Sequence, residues 1–134
     1  MSCRIGCDLL AVAEVRNSLD RFGDRYLRRV YTPHEVSSSG RRPHQLAARF
    51  AAKEAVIKVL RPADTAVPLN AIEVQRREGG WCEISLSGSA LALAEDQALG
   101  DFQVSLSHEA DYAIAVVHAT VFVETGRPES KGTL

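Results

Sequence analysis

Apolar residues recur along this chain with two periods, and the changes of period mark where elements begin and end. Ile5, Cys7 and Leu9 alternate with Gly6 and Asp8, which predicts a strand over about residues 4–9. Glycine weakens a strand interior, so Gly6 marks a place where another group comes close beside Asp8. From about residue 12 the spacing becomes helical through Val12, Val15, Leu19 and Phe22. Gly23 breaks that helix, and Tyr26, Leu27 and Val30 continue a second one. Thr32-Pro33-His34-Glu35 is a capping box with proline at the first helical position, so a short helix starts there. Residues 37–43, rich in serine with a glycine and a proline, predict a flexible connection.

A long helix follows over about residues 44–60, closed by Arg61-Pro62, and residues 63–69 read as loop. Residues 71–76 and 82–86 alternate as two strands joined through Gly79-Gly80, a hairpin signal. Ser89 predicts the cap of a helix over about 90–99 that stops at Gly100. Residues 102–108 alternate as another strand. The last strand, 112–123, is apolar on both faces around Ala113, Ala115 and Val117, which predicts burial on both sides and hence a subunit interface. Residues 1–123 form one domain, and the polar residues 124–134 read as a frayed tail. A strand, several helices, then strands around one helix make an α+β order.

The long helix is unusual. On a 3.6-residue wheel its apolar residues cover nearly every angle, interrupted by two narrow stripes: Arg49 with Lys53, and Glu54 with Lys58. An ordinary Glu-to-Lys pair at i,i+4 sits on a solvated face. Here no polar face is available for it. A carboxylate on a helix of this kind expects burial, and a buried carboxylate needs a partner or a metal. Ala47 and Ala51 share the Glu54 stripe and leave the backbone open to close approach.

Composition limits the possibilities without naming one. The chain has 134 residues, 46% hydrophobic and 25% charged, with a net charge of -1. That fits a single globular domain whose overall field favours neither nucleic acid nor membrane. No apolar run approaches membrane-span length and the start lacks a signal-peptide pattern, so a cytoplasmic location is expected. Cys3, Cys7 and Cys82 make no disulfide framework or zinc pattern. On one strand Cys3 and Cys7 would lie about 13 Å apart, beyond the reach of a disulfide. All three read as reduced, structural cysteines.

Asp8 beside Gly6, Glu54 with Lys58, Ser105-Leu106-Ser107-His108 and a row of arginines call for one explanation. Two separated carboxylates suit a hard, oxygen-ligated cation such as Mg²⁺, which completes its shell with water and substrate phosphates. Lys58, one turn from Glu54, is placed to offset the charge of such a phosphate. Neither a Walker A sequence nor G-x-G-x-x-G is present.

At these residues the chain resembles the holo-acyl-carrier-protein synthase type of 4′-phosphopantetheinyl transferase. The matching stretches are Ile5-Gly6-Cys7-Asp8, Arg21-Phe22-Gly23, and Arg28-Arg29-Val30-Tyr31-Thr32-Pro33-His34-Glu35. They continue with Arg49-Phe50-Ala51-Ala52-Lys53-Glu54-Ala55-Val56-Ile57-Lys58 and Ser105-Leu106-Ser107-His108-Glu109. The resemblance runs in order from about residue 4 to residue 119, and its central F-A-A-K-E-A-x-x-K stretch is the specific part. It implies an antiparallel sheet packed against a long central helix, assembled as a trimer with shared active sites. It also implies transfer of phosphopantetheine from coenzyme A to a serine of an apo acyl carrier protein, releasing adenosine 3′,5′-bisphosphate. Asp8 and Glu54 would ligate Mg²⁺, and Asp8, Glu54 and Lys58 would carry catalysis. Arg49, Lys58, Ser107 and His108 would contact coenzyme A, with Arg49 and His108 reaching across a subunit boundary.

Arg21, Arg25 and Arg28 lie at i, i+4 and i+7. Such rows are ordinarily solvated faces, and the resemblance reads this one as the docking surface for an acidic carrier helix. Three departures from the family pattern stand out. Cys7 replaces a branched aliphatic in a strand expected to be buried. Gly80-Trp81-Cys82 replaces Gly-Lys-Pro near the expected adenosine position, and Glu14 sits where basic residues are common. Two rival readings follow: the same chemistry on a polyketide or peptide-synthetase carrier domain, or a non-catalytic coenzyme A-binding or assembly protein. The intact set Asp8, Glu54 and Lys58 favours the enzyme.

Overall fold

The computed structural model describes residues 1–122, so the strand end at Val123 and the expected tail at 124–134 lie outside the described residues. The elements are β1 (Ser2–Ala11), α1 (Val12–Phe22), α2 (Asp24–Val30), α3 (Pro33–Ser39) and α4 (Pro43–Leu60). A short 3₁₀ turn (Leu69–Ala71) precedes β2 (Ile72–Arg76), β3 (Cys82–Leu86), α5 (Gly88–Asp96), β4 (Leu99–His108) and β5 (Tyr112–Val121). The strands form one antiparallel sheet in the order β1-β5-β4-β3-β2. The expected α+β order is present.

Helix α4 lies across β1, β5, β4 and β2. Its C-terminal half packs Ala51, Ala52, Ala55, Val56, Val59 and Leu60 against Ile72, Val74, Ala115, Val117 and Ala119. Its N-terminal half packs Leu46, Ala47 and Ala48 against Val12, Val15, Leu27, Val30 and Tyr31. The alanines keep helix and sheet close, and Gly6 on β1 allows the closest approach. The helix is not buried all round, however. Phe50, Glu54 and Ile57 are partly exposed and Lys58 is exposed, so the second charged stripe has a solvent edge. The stripe that is fully enclosed is the other one: Arg49 and Lys53 are buried.

The pleat of β1 and β5 runs opposite to one expectation. Ala113, Ala115, Val117 and Ala119 are buried, while Tyr112, Ile114 and Val116 stand exposed on the other face. On β1, Cys7 pairs with Val116 and Leu9 with Ile114. Ile5 and Leu9 are 68% and 62% exposed, and Cys3 and Cys7 are exposed as well. The apolar set of β1 therefore points away from α4, and Gly6 and Asp8 point toward it. Within one chain β5 is buried on one face only. The second apolar face is open.

Other corrections are local. Residues 37–39 belong to α3 rather than to a flexible connection: Ser39 is buried, its hydroxyl donates to the Val36 carbonyl at 3.1 Å, and it accepts from the Arg41 amide at 3.2 Å. Helix α5 begins after Ser87, not Ser89, because the Ser87 amide is anchored to the Ala71 carbonyl at 2.9 Å. It ends at Asp96. Leu99 and Gly100 open β4, whose pairing shifts between Gly100 and Gln103.

Candidate active site

Asp8 reaches the α4 side of the sheet because it shares the pleat of Gly6, two residues away. Its carboxylate meets α4 where Lys58 leaves the last turn. Lys58 Nζ donates to the Cys7 carbonyl at 2.7 Å and to Asp8 Oδ1 at 3.2 Å. Glu54 lies one turn back on the same helix edge. Burial, and then the charge of Asp8, raise the proton affinity of Glu54 above the usual carboxylate range, while Lys58 partly offsets them. The structure therefore brings together the three residues from two distant segments. Among the described residues there is no group of three or more His, Cys, Asp or Glu side chains able to hold a metal. Two hard oxygen donors that repel each other, with one ammonium beside them, fit a divalent cation whose remaining ligands come from phosphate and water.

His108 and Ser107 separate. His108 ends β4 opposite Ala113, and Asp8 pairs with Ala115. His108 thus faces the same side as Asp8, two strands over and two residues along, about 12 Å away by sheet spacing. Ser107 alternates to the opposite, uncovered face. The ring of His108 lies 4.7 Å from that of His44, centroid to centroid. Burial, then His108, Arg42 and Arg16, hold His44 below the ordinary histidine range. This patch, with Arg42 and Arg16 beside it, includes His44, which the sequence pattern did not single out; only its place in the first turn of α4 hinted at it.

Arg49 does not join the carboxylates. Its guanidinium donates to the Gln45 carbonyl and side chain, at 3.2 and 3.1 Å, and to the Ser38 hydroxyl at 3.3 Å. Its Nε is enclosed without an acceptor, and burial chiefly lowers its proton affinity. Nor are Arg21, Arg25 and Arg28 one helical row. Gly23, at φ 52° and ψ -127°, separates Arg21 on α1 from Arg25 and Arg28 on α2. All three are exposed. Asp24, which would weaken their field, pairs with Arg41 at 3.2 Å. A cleft of about 970 Å³ opens beside Arg28, lined by Leu27, Tyr31, Val36, Arg41 and Asn70, away from the carboxylate pair.

The buried charges form a site the sequence pattern only half revealed. Lys53 Nζ donates to Glu35 Oε1 at 2.6 Å, to the Leu69 carbonyl at 3.0 Å and to the Ile72 carbonyl. Glu35 is the fully buried carboxylate of the molecule's described part, not Glu54. Its place in the capping box was legible; its partner was not. Burial holds Lys53 below the ordinary lysine range, and Glu35 opposes that shift.

In this small α+β domain two carboxylates and a lysine converge between strand β1 and helix α4. The chain belongs to the 4′-phosphopantetheinyl transferase superfamily, whose family model matches residues 4–117. It is 41% identical over 123 residues to a protein of Gloeobacter violaceus named holo-[acyl-carrier-protein] synthase, covering 89% of this chain and 93% of that one. A protein of the same name from Dehalococcoides mccartyi is 41% identical over 118 residues, covering 85% and 95%. Among solved structures, an acyl-carrier-protein synthase–coenzyme A complex described as from Chronobacterium ammoniagenes superposes with a TM-score of 0.81 at 26% identity, over 92% of this chain and all of that one. The Helicobacter pylori holo-[acyl-carrier-protein] synthase in complex with coenzyme A gives 0.78 at 26% identity, over 87% and 100%.

Proposed function

We propose that this chain transfers the 4′-phosphopantetheine group of coenzyme A to a serine of an apo acyl carrier protein, in a Mg²⁺-dependent reaction that releases adenosine 3′,5′-bisphosphate. The observation that carries this reading is the convergence of Asp8, Glu54 and Lys58, with Lys58 Nζ within 3.2 Å of Asp8. Asp8 and Glu54 would hold the cation, which when bound offsets phosphate charge and orients the pyrophosphate. The serine hydroxyl of the carrier attacks the β-phosphorus. A new P–O bond forms to the serine, and the bond from phosphorus to the oxygen bridging it to the adenosine bisphosphate portion breaks. Glu54, on the helix edge beside Lys58, takes the serine proton. Lys58 follows the negative charge on the transferring phosphoryl oxygens.

The open apolar face of β1 and β5 supports a trimer. Ile5, Leu9, Ile114 and Val116 present a continuous patch of the kind that marks association surfaces. Assembly would let the patch of His44, His108 and Arg42 serve a neighbouring carboxylate pair, which fits its distance from Asp8 within one chain. Arg25 and Arg28 offer the carrier a basic surface.

The direct test is incubation of the purified protein with radiolabelled coenzyme A and a panel of apo carriers, with and without Mg²⁺. Label on a carrier serine, abolished by a chelator and restored by Mg²⁺, is the expected result. Coenzyme A binding without transfer to any carrier would overturn the reading in favour of a binding protein.

A further inference from the structure

We propose that the buried Glu35–Lys53 pair is a positioning element that holds the carrier-facing helix α2 in register with the Glu54–Lys58 phosphate site on α4. The inference rests on the carrier-transfer reading above. Lys53 immediately precedes Glu54, so whatever fixes Lys53 fixes the helical phase of the reacting carboxylate. All three ammonium donors of Lys53 are engaged, by Glu35, Leu69 and Ile72, from three other segments. Glu35 in turn accepts from the Thr32 amide at 2.9 Å and from the Val74 amide at 2.8 Å. One enclosed ion pair thus ties together the start of α3, α4, the 3₁₀ turn and β2.

Helix α2 ends two residues before Thr32, and two further links run from its end to the same place. Tyr31 donates its hydroxyl to the Leu46 carbonyl on α4 at 3.0 Å, and Lys53 Nζ lies 5.7 Å over the Tyr31 ring. The Arg28 carbonyl accepts from Asn70 at 3.4 Å, next to Leu69, whose carbonyl Lys53 holds. A fully buried ion pair is often no more stabilising than apolar residues of the same volume. Its distinct property is direction: each hydrogen bond sets an angle as well as a distance. Arg25 and Arg28 sit on the element that this network locates, and the serine must arrive beside Glu54 within a fraction of an ångström.

The test replaces the pair by apolar residues, Glu35→Leu with Lys53→Met, and compares kinetics for the two substrates. A folded variant with unchanged oligomeric state should show kcat/KM for the apo carrier lowered about tenfold or more. KM for coenzyme A should stay within about twofold of wild type. Carrier kinetics like wild type in that folded protein would overturn the proposal, as would KM values raised equally for both substrates. If the double variant does not fold, Tyr31→Phe cuts the α2-to-α4 hydroxyl link while keeping the ring. It should raise KM for the carrier a few-fold with KM for coenzyme A unchanged, and no change in either would overturn the proposal. A wild-type protein that transfers nothing would instead remove the underlying reading.

Discussion

A β-carbon on Gly6 would fall 2.1 Å from the Ala55 carbonyl oxygen, so β1 and α4 touch backbone to backbone at that point. Asp8, two residues along the same face, meets Lys58 three residues along the helix because of that contact. Gly6→Ala must push strand and helix apart, since a backbone carbonyl cannot rotate away. We expect about 1–3 kcal/mol of destabilisation and a loss of transfer larger than the loss of stability explains. Thermal unfolding together with steady-state kinetics checks both parts.

Asp8→Ala and Glu54→Ala should each lower transfer about 10³-fold, as loss of a metal's charge stabilisation would. The folded oligomer should survive, because both side chains lie at the partly exposed edge where β1 meets α4 rather than in the core. Turnover near wild type in either variant would sink the metal assignment.

The proton affinity of Glu54 gives a pH signature. A carboxyl raised in the folded state binds more protons there than in the unfolded chain, whose reference value is 4.5. Its contribution is present at low pH and is lost as pH rises from about the unfolded value through the higher folded one. Glu54→Gln should therefore gain in Tm relative to wild type as pH rises through that window, in metal-free buffer. A Tm difference independent of pH would show that Glu54 is not shifted.

Lys58→Ala should lower kcat by about 10²-fold or more with little change in KM for coenzyme A. Its interaction grows with charge on the transferring phosphoryl group, and such interactions appear in kcat. A pure KM effect would make Lys58 a ground-state anchor.

Leu9→Glu or Val116→Glu places a charge on the open face of β1 and β5. Wild type should sediment as a trimer and these variants as smaller, less active species. A monomeric wild type with full activity would refute shared sites.

Arg25→Glu or Arg28→Glu should raise KM for the apo carrier about tenfold at low salt while leaving coenzyme A affinity alone. Charge complementarity acts mainly on association and is screened by salt. KM for the carrier should then rise with ionic strength less steeply in the variants than in wild type. Equal salt dependence would mark the arginines as a solvated face.

The local code of this chain was legible residue by residue. The Gly23 break, the Thr32–Glu35 capping box, the hairpin at Gly79-Gly80 and the close approach at Gly6 each depend on backbone preferences that neighbouring residues set. A strand carboxylate beside a glycine and a carboxylate on a largely apolar helix singled out Asp8, Glu54 and Lys58, which the fold brings together, although Glu54 keeps a solvent edge rather than the burial the wheel suggested. What a helical wheel cannot supply is which side faces the sheet. It showed two charged stripes on α4 without deciding that Arg49 and Lys53 would be enclosed while Glu54 and Lys58 kept a solvent edge. Nor could it pair Lys53 with Glu35, 18 residues away on another helix. The two-period pattern of β1 and β5 likewise marked both faces as apolar, and only the position of α4 decided which one is covered in a single chain. Propensity and pattern are local and travel with the sequence. Direction, pairing and cover depend on contacts between distant segments, and only the packed chain sets those.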